Sequence, residues 1–279
     1  MRYVLKGSVR KAANKVRITG QLIDAETGAH LWADRFDGSL EDVFELQDHV
    51  TTSVVGAISP KLAQAEMERV KRKPVENLDA YDSFLQGMSL AYVFTREAVE
   101  GAFKLLYRAI ELAPDFATPH GMAARLYAYR RLQGWSVDPE WEVAEARRLA
   151  LRVSSIGRDD ALALCWAGYA LVSLCREHEA GAAMIDQALA LNQNLATAWS
   201  YRGLSSVSLG QHEAALEQIA KAIRLSPLDP ETYRSEGVMS MALLMLGRYD
   251  EALKWSTRSY SRQSNWMPAL RVSAAANAY

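Results

Sequence analysis

Apolar and polar positions change their spacing once along this chain. Val16, Ile18, Gly20 and Leu22 alternate with Arg17, Thr19, Gln21 and Ile23, which is the period of a half-buried strand. An earlier run from Tyr3-Val4-Leu5 to Val9 predicts a first strand, with Lys11-Ala12-Ala13-Asn14 as the hairpin loop. Glu26-Thr27-Gly28 marks a turn, His30 to Phe36 predicts a third strand, and Asp37-Gly38 ends the sheet segment. The spacing then becomes three and four. Val43, Leu46, Val50, Val54, Ile58 and Leu62 form one apolar stripe of a helix. Ser39, three before Asp42, predicts a capping box at its start. Pro60 should kink it, because an internal proline removes one backbone bond and crowds the preceding turn. The stretch Lys71-Arg72-Lys73-Pro74 predicts the boundary between a segment 1–74 and a remainder 75–279.

In the remainder the helical spacing comes in pairs. Residues 196–229 read ATAWSYRGLSSVSLGQHEAALEQIAKAIRLSPLD. Trp199, Gly203, Ala215, Ile219 and Pro227 fall where a tetratricopeptide (TPR) repeat of about 34 residues has its signature, so the stretch resembles one. Arg202 and Ser206 depart from that signature. Gly203 and Ala215 are small where two helices would cross closely, Trp199 and Ile219 would fill the space beside them, Gly210 would end the first helix and Pro227 the second. The ending Ala222-Ile223-Arg224-Leu225 has a counterpart at Ala188-Leu189-Ala190-Leu191, 222 − 188 = 34 residues earlier. Another lies at Ala109-Ile110-Glu111-Leu112, 222 − 109 = 113 earlier. The first pair should begin near Asn77-Leu78-Asp79, and a longer pair is placed at 117–133 and 139–154. Gly247 and Ala252 repeat Gly210 and Ala215 at an offset of 37. Five pairs and part of a sixth, stacked as a right-handed α-solenoid, are expected over 75–279. The predicted fold class is therefore mainly α, with a small α/β segment of about three strands and one long helix in front.

Hydrophobic residues make up 49% of the 279 positions and the formal net charge is −1. A large core can be buried, and the whole-chain charge makes no case for nucleic acid or a membrane surface. The first twenty residues hold Arg2, Lys6, Arg10, Lys11, Lys15 and Arg17 without an acid. Asp24, Glu26, Asp34 and Asp37 follow at once, so a solvated strand face accounts for them. Cys165 and Cys175 stand ten apart on one predicted helix, about 15 Å at 1.5 Å per residue, too far for a mutual disulfide. No run of about 18 apolar residues occurs, and a cytoplasmic location is expected. Ala269, Leu270, Val272, Ala274 and Ala275 make no polar cap for the array. Three strands and one helix bury too little to stand alone unless they rest on the repeats. Both ends are therefore expected to be cut. Self-association is expected through the first strand's edge, or through a face near Leu253 and Trp255.

Four stretches are similar to one known arrangement: YVLKGSVRK at 3–11, VRITGQLIDAETGAHLWADRFDG at 16–38, VFELQDHV at 43–50 and KRKPVENLDAYD at 71–82. They resemble the region of bacterial class III adenylate/guanylate cyclases in which a TolB-like α/β domain is followed by TPR repeats. The same arrangement stands behind DNA-binding domains in some transcriptional regulators. The resemblance is close over 3–82 and loose over the repeats. In that family the TolB-like domain begins well upstream of the position matching Tyr3, and the cyclase domain further upstream still. The resemblance therefore implies a regulatory part of a signalling protein, without the catalytic domain.

Catalytic patterns are missing. A phosphate loop of the form GxxxxGK[ST] or GxGxxG does not occur. His212-Glu213 and His178-Glu179 open like a zinc-protease helix, but Leu216 and Ala182 stand where a second histidine is needed. Asp24, Asp34 and Asp37 lie on short strands that do not match the cyclase metal core. No catalytic, cofactor or metal site is expected, and no cofactor. Two readings follow. In the first, a protein or peptide, the missing cyclase domain included, binds the groove lined by the first helices of the pairs. In the second, a small molecule is held between the sheet segment and the repeats. Thr197, Ser200, Leu204, Val207 and Ser208 are the usual contact positions of the reference repeat. Ser200 and Leu204 stand where some TPR domains clamp a C-terminal carboxylate with Lys and Asn, so that clamp is not expected in this repeat. Tyr127, Arg130, Arg131 and Trp166, with Ser200 and Leu204, are the candidate partner-binding residues.

Overall fold

The computed structural model describes residues 2–39, 41–70, 79–227 and 229–278. Three strands, β1 (Tyr3–Ala12), β2 (Lys15–Asp24) and β3 (His30–Ser39), form an antiparallel sheet in the order β1-β2-β3. The first hairpin is tighter than the sequence predicts. Lys11 and Ala12 pair with Val16 and Lys15, leaving only Ala13 and Asn14 in the turn, with Ala13 at φ 53°. The third strand is longer than expected, since Asp37, Gly38 and Ser39 pair with Arg17, Val16 and Lys15. Arg17 Nε donates to Asp37 at 2.6 Å across that extension. Gly38 lets the helix behind it approach, because a Cβ there would lie 2.8 Å from Leu46.

That helix, α1 (Val43–Val70), lays Leu46 and the half-buried Val50, Val54, Ile58 and Leu62 against Val16, Leu22, Trp32 and Phe36 of the sheet. From Leu46 to Leu62 the predicted stripe is the face laid on the sheet. The helix continues through Pro60 without a division. The cap differs from a capping box: Ser39 Oγ donates to the Asp42 carboxylate at 3.1 Å and accepts the Glu41 N–H. The predicted boundary at Lys71-Arg72-Lys73-Pro74, and Asn77 and Leu78 beyond it, lie outside the described residues.

Antiparallel helix pairs follow: α2 (Ala80–Val93) with α3 (Arg96–Leu112), α4 (Ala117–Gln133) with α5 (Pro139–Ile156), α6 (Ala161–Ala170) with α7 (His178–Leu191). Then come α8 (Ala196–Ser208) with α9 (His212–Leu225), α10 (Thr232–Met245) with α11 (Tyr249–Arg262), and α12 (Met267–Ala276). Helix makes up 69% of the described residues. Asp79, Thr95, Asp138 and Asp160 cap α2, α3, α5 and α6 with side-chain oxygens that accept first-turn N–H groups. The small residues sit where the helices touch. A Cβ on Gly203 would overlap Ile219 of the partner helix, and Ala215 and Ile219 are fully buried. Trp199 is only half-buried; its indole N–H donates to Gln193 O and Lys221 lies over its ring. The first helix of each of the five pairs ends at a left-handed residue: Phe94, Gly134, Arg176, Gly210 and Gly247 all have φ between 56° and 76°. Before Arg176 the sixth helix widens into a π-helical turn, Leu171–Cys175.

Two contacts shape the whole. Phe94, at the end of α2, meets Trp266, at the start of α12, with ring centres 5.7 Å apart. Asn265 Nδ2 donates to Phe94 O, and Gln133 bridges Asn265 O and the Met267 N–H. The first and last first-helices thus close on one another. Separately, α1 crosses the end of α9 at Gly56, where a Cβ would overlap the Leu225 carbonyl oxygen. Ser226 Oγ donates to Gly56 O there at 3.3 Å. At its other end α1 reaches α2 through Arg69, which binds Asp82 at 3.1 Å. The sheet segment therefore rests on the repeats. Leu253 and Trp255 are partly buried in a cluster with Val272 and Ala276 of α12.

Candidate binding cavities on the first-helix face

The first helices α2, α4, α6, α8, α10 and α12 bring a set of aromatic rings around two buried arginines. Arg125 of α4 is 1% exposed; its Nε donates to Tyr129 Oη at 2.6 Å and its Nη2 to Glu231. Arg234 of α10 donates from Nε to the other oxygen of Glu231 at 2.8 Å. Its guanidinium carbon lies 3.7 Å from the Tyr129 ring centre and 4.7 Å from that of Trp266. Tyr129 and Tyr201 share a hydrogen bond of 2.7 Å, and Tyr201 stacks on Tyr169 at 4.2 Å. Burial alone would push the Glu231 carboxyl up, but Arg125 and Arg234 hold it below the usual range. Asp229, which accepts the Glu231 N–H at 2.7 Å, is pushed up to about 6 by burial and by Glu231.

Two cavities flank this layer. The larger, of 1550 Å³, opens between Arg2, Tyr3 and the second half of α1 on one side and α2, α6 and α8 on the other. Glu231 and Asp229 close it toward the arginines, and Trp166 lines it; the indole N–H of Trp166 is itself buried and has no hydrogen-bond partner. The smaller, of 380 Å³, is walled by α6, α8, α10 and α12. Its lining includes Arg176, Arg234 and His178, with Tyr169 and Tyr201, and no carboxylate among the described lining residues. The two cavities share none of these lining residues.

The candidate residues fall in different places. Trp166 lines the larger cavity, and so does Thr197. Ser200 and Leu204, with Ser208, line the smaller. Tyr127 and Arg130 face neither cavity, because neighbouring helices already occupy them. The Tyr127 ring lies 4.4 Å from Phe103 and its hydroxyl 3.0 Å from that of Tyr107, while Arg130 binds Glu142 at 3.0 Å. Arg131 is exposed and outside both cavities. Arg125, Glu231, Arg234 and Trp266 were missed by sequence reasoning. The available signal was a cation inside an apolar first helix, Arg125 within MAARLYAY and Arg234 within TYRSEGVM. His178 and His212 begin α7 and α9, and no three potential metal ligands cluster among the described residues. Burial raises the Cys165 thiol, and raises that of Cys175 to about 11, so neither is an activated nucleophile.

No family model matches the chain. It is 36% identical over 150 residues to the Rhizobium meliloti (strain 1021) protein named "Putative adenylate cyclase 3", a match covering 54% of this chain and 26% of that one. The chain thus spans about a quarter of that relative. Among solved structures it resembles TTC0263, a thermophilic TPR protein of Thermus thermophilus, at TM-score 0.55 and 19% identity, over 72% of this chain and all of the other. YrrB, described as a TPR protein with an unusual peptide-binding site, aligns over 76% of this chain and 99% of its own, at 20% identity and TM-score 0.40. Among the described residues no helix is long and apolar enough to cross a membrane. The likeness to TTC0263 gives the repeats the fold of a TPR protein.

Proposed function

We propose that this chain is a non-catalytic interaction and regulatory module of a multidomain signalling protein whose output is a nucleotide cyclase. The observation that supports it best is the 1550 Å³ groove between α1 and the first helices α2, α6 and α8. It is large enough for a polypeptide segment and lies where TPR-type arrays present their first helices. The match to a quarter of a protein named as an adenylate cyclase supplies the output domain of the reading, and the TolB-like resemblance of 3–82 agrees with it. A sensor reading has its own support, since the same groove lies between the sheet segment and the repeats. Under either reading the site is cytoplasmic, and under the alternative output domain it would regulate a transcription factor.

Binding of the purified chain to the part of the Rhizobium relative outside the matched stretch tests the proposal. Ser89→Trp and Thr197→Trp place bulk in the groove. The expected result is saturable binding that each variant weakens about tenfold, near 1.4 kcal/mol. Binding that both variants leave unchanged would move the interface off this groove.

A further inference from the structure

The open face of the sheet carries charge that the groove does not use. Strand register decides which side chains share a face. Val16, Leu22, Trp32 and Phe36 pack against α1, so their neighbours along each strand belong to the other face. Lys6 pairs with Gln21, Arg10 with Arg17, Lys15 with Ser39 and Arg35 with Thr19. Lys6, Arg10, Lys15, Arg17 and Arg35 therefore stand together on the side away from α1, and all are exposed. The acids that follow them in sequence do not balance them there. Asp34 pairs with Gly20 in the inner register. Asp24 accepts turn N–H groups at the far end, where Glu26 holds Arg2. Among the paired residues Asp37 alone brings a carboxylate to this face, opposite Arg17.

Asp37 is already engaged twice. Arg17 Nε donates to one of its oxygens at 2.6 Å, and Arg35 lies 3.3 Å from the other. The Arg17 hydrogen bond holds the Asp37 carboxyl below its usual range, and the charges of Arg35 and Lys15 add to this. Lys6 and Arg10 have no ion-pair partner among the described residues. Arg10 also stands directly opposite Arg17, and like charges so placed cost a sheet stability. A face that met only water would be more stable with a neutral residue there. The patch is small: three strands about 4.8 Å apart and six residues of about 3.3 Å give roughly 10 by 20 Å. That is well below the roughly 600 Å² that the smallest duplex-DNA modules bury. No Phe, Tyr or Trp among the paired residues shares the face to stack a base. Leu5 and Val9, which could enter a lipid surface, belong to the inner register. We propose that this face is a docking surface for an acidic segment of a partner protein, whose carboxylates are received by Lys6, Arg10 and Lys15. Ser8 and Thr19, hydrogen-bonded to each other at 2.7 Å, supply hydroxyls between those cations. The surface is independent of the groove, since none of these residues lines it.

Fluorescence anisotropy with the full chain tests this. The probe is a labelled peptide of about ten residues alternating glutamate and serine, compared with the same peptide carrying glutamine for glutamate. The expected result is that the acidic peptide binds at least about tenfold tighter than its glutamine counterpart, and that added salt weakens it. Lys6→Gln and Arg10→Gln should each weaken the acidic peptide about fivefold, the scale of one exposed ion pair. Lys11→Gln removes the same charge from the other face, where Lys11 pairs with Val16, and should leave binding unchanged. Arg10→Gln should also keep or raise the melting temperature, because it removes the opposition to Arg17, which separates lost binding from lost folding. Oligothymidine, a DNA duplex and phosphatidylserine vesicles serve as competing probes. Tighter binding of any of these than of the acidic peptide would overturn the proposal. So would equal affinity for the two peptides, no acidic-peptide binding up to about 1 mM, or a loss in Lys11→Gln equal to that in Arg10→Gln.

Discussion

Arg176 has φ 59° at the position where the following repeats have Gly210 and Gly247. A left-handed backbone costs a residue with a Cβ roughly 1 kcal/mol that glycine does not lose. Arg176→Gly is therefore expected to stabilise the chain by about 1 kcal/mol in chemical denaturation, and a loss of stability would show that the Arg176 side chain holds the turn. Asp229 makes a second case. Its folded-state pKa, raised to about 6 from 3.8, means that the folded state binds a proton more tightly than the unfolded one. Its ionisation therefore lowers stability as pH rises from about 4 to 6. Asp229→Asn keeps an oxygen for the Glu231 N–H, so it should stabilise by about 1 kcal/mol at pH 8 and have little effect at pH 4. The same gain at both pH values would contradict this. At this scale the sequence was partly legible. Gly203, Ala215 and Gly210 had roles that follow from size and φ alone. Tyr127 and Arg130 did not, because their partners Phe103, Tyr107 and Glu142 lie on other helices.

Among elements, the alternation of the first segment and the three-four spacing of the rest were legible because each records which face is buried. The ends of strands were less so. Lys11 and Ala12 looked like loop and Asp37 to Ser39 like a terminator, yet ladder pairing across Arg17 and Asp37 recruits them. The docking of α1 had one visible signal, a glycine in the middle of a predicted helix. Gly56→Ala should separate α1 from α9, since the added methyl overlaps the Leu225 carbonyl. Overpacking of this kind costs about 1–3 kcal/mol, and a melting temperature unchanged by the substitution would show that α1 does not press on α9. Ala215→Trp is expected to cost at least as much, because Ala215 is fully buried between α8 and α9 and its neighbour Ile219 already meets Gly203. Folding with undiminished stability would mean that the repeat register is wrong.

For the whole molecule, curvature was not legible. Nothing local in the sequence joins Phe94 to Asn265, a separation of 171 residues. That contact draws the first helices into one basin, in which Arg125, Glu231 and Arg234 separate two cavities. The small residues of the sequence predicted helix contact, while the aromatic residues of the basin read as ordinary helix packing. The central claim is that the groove between α1 and this inner face, and not the outer helices or the open face of the sheet, is where the chain binds its output domain. Hydrogen exchange with and without the unmatched part of the Rhizobium relative tests it most directly. The account predicts slowed exchange in α2, α6 and α8 and in the second half of α1, with α7, α9, α11 and β1 beyond Tyr3 unchanged. Protection confined to α7, α9 and α11, or to β1, would contradict it.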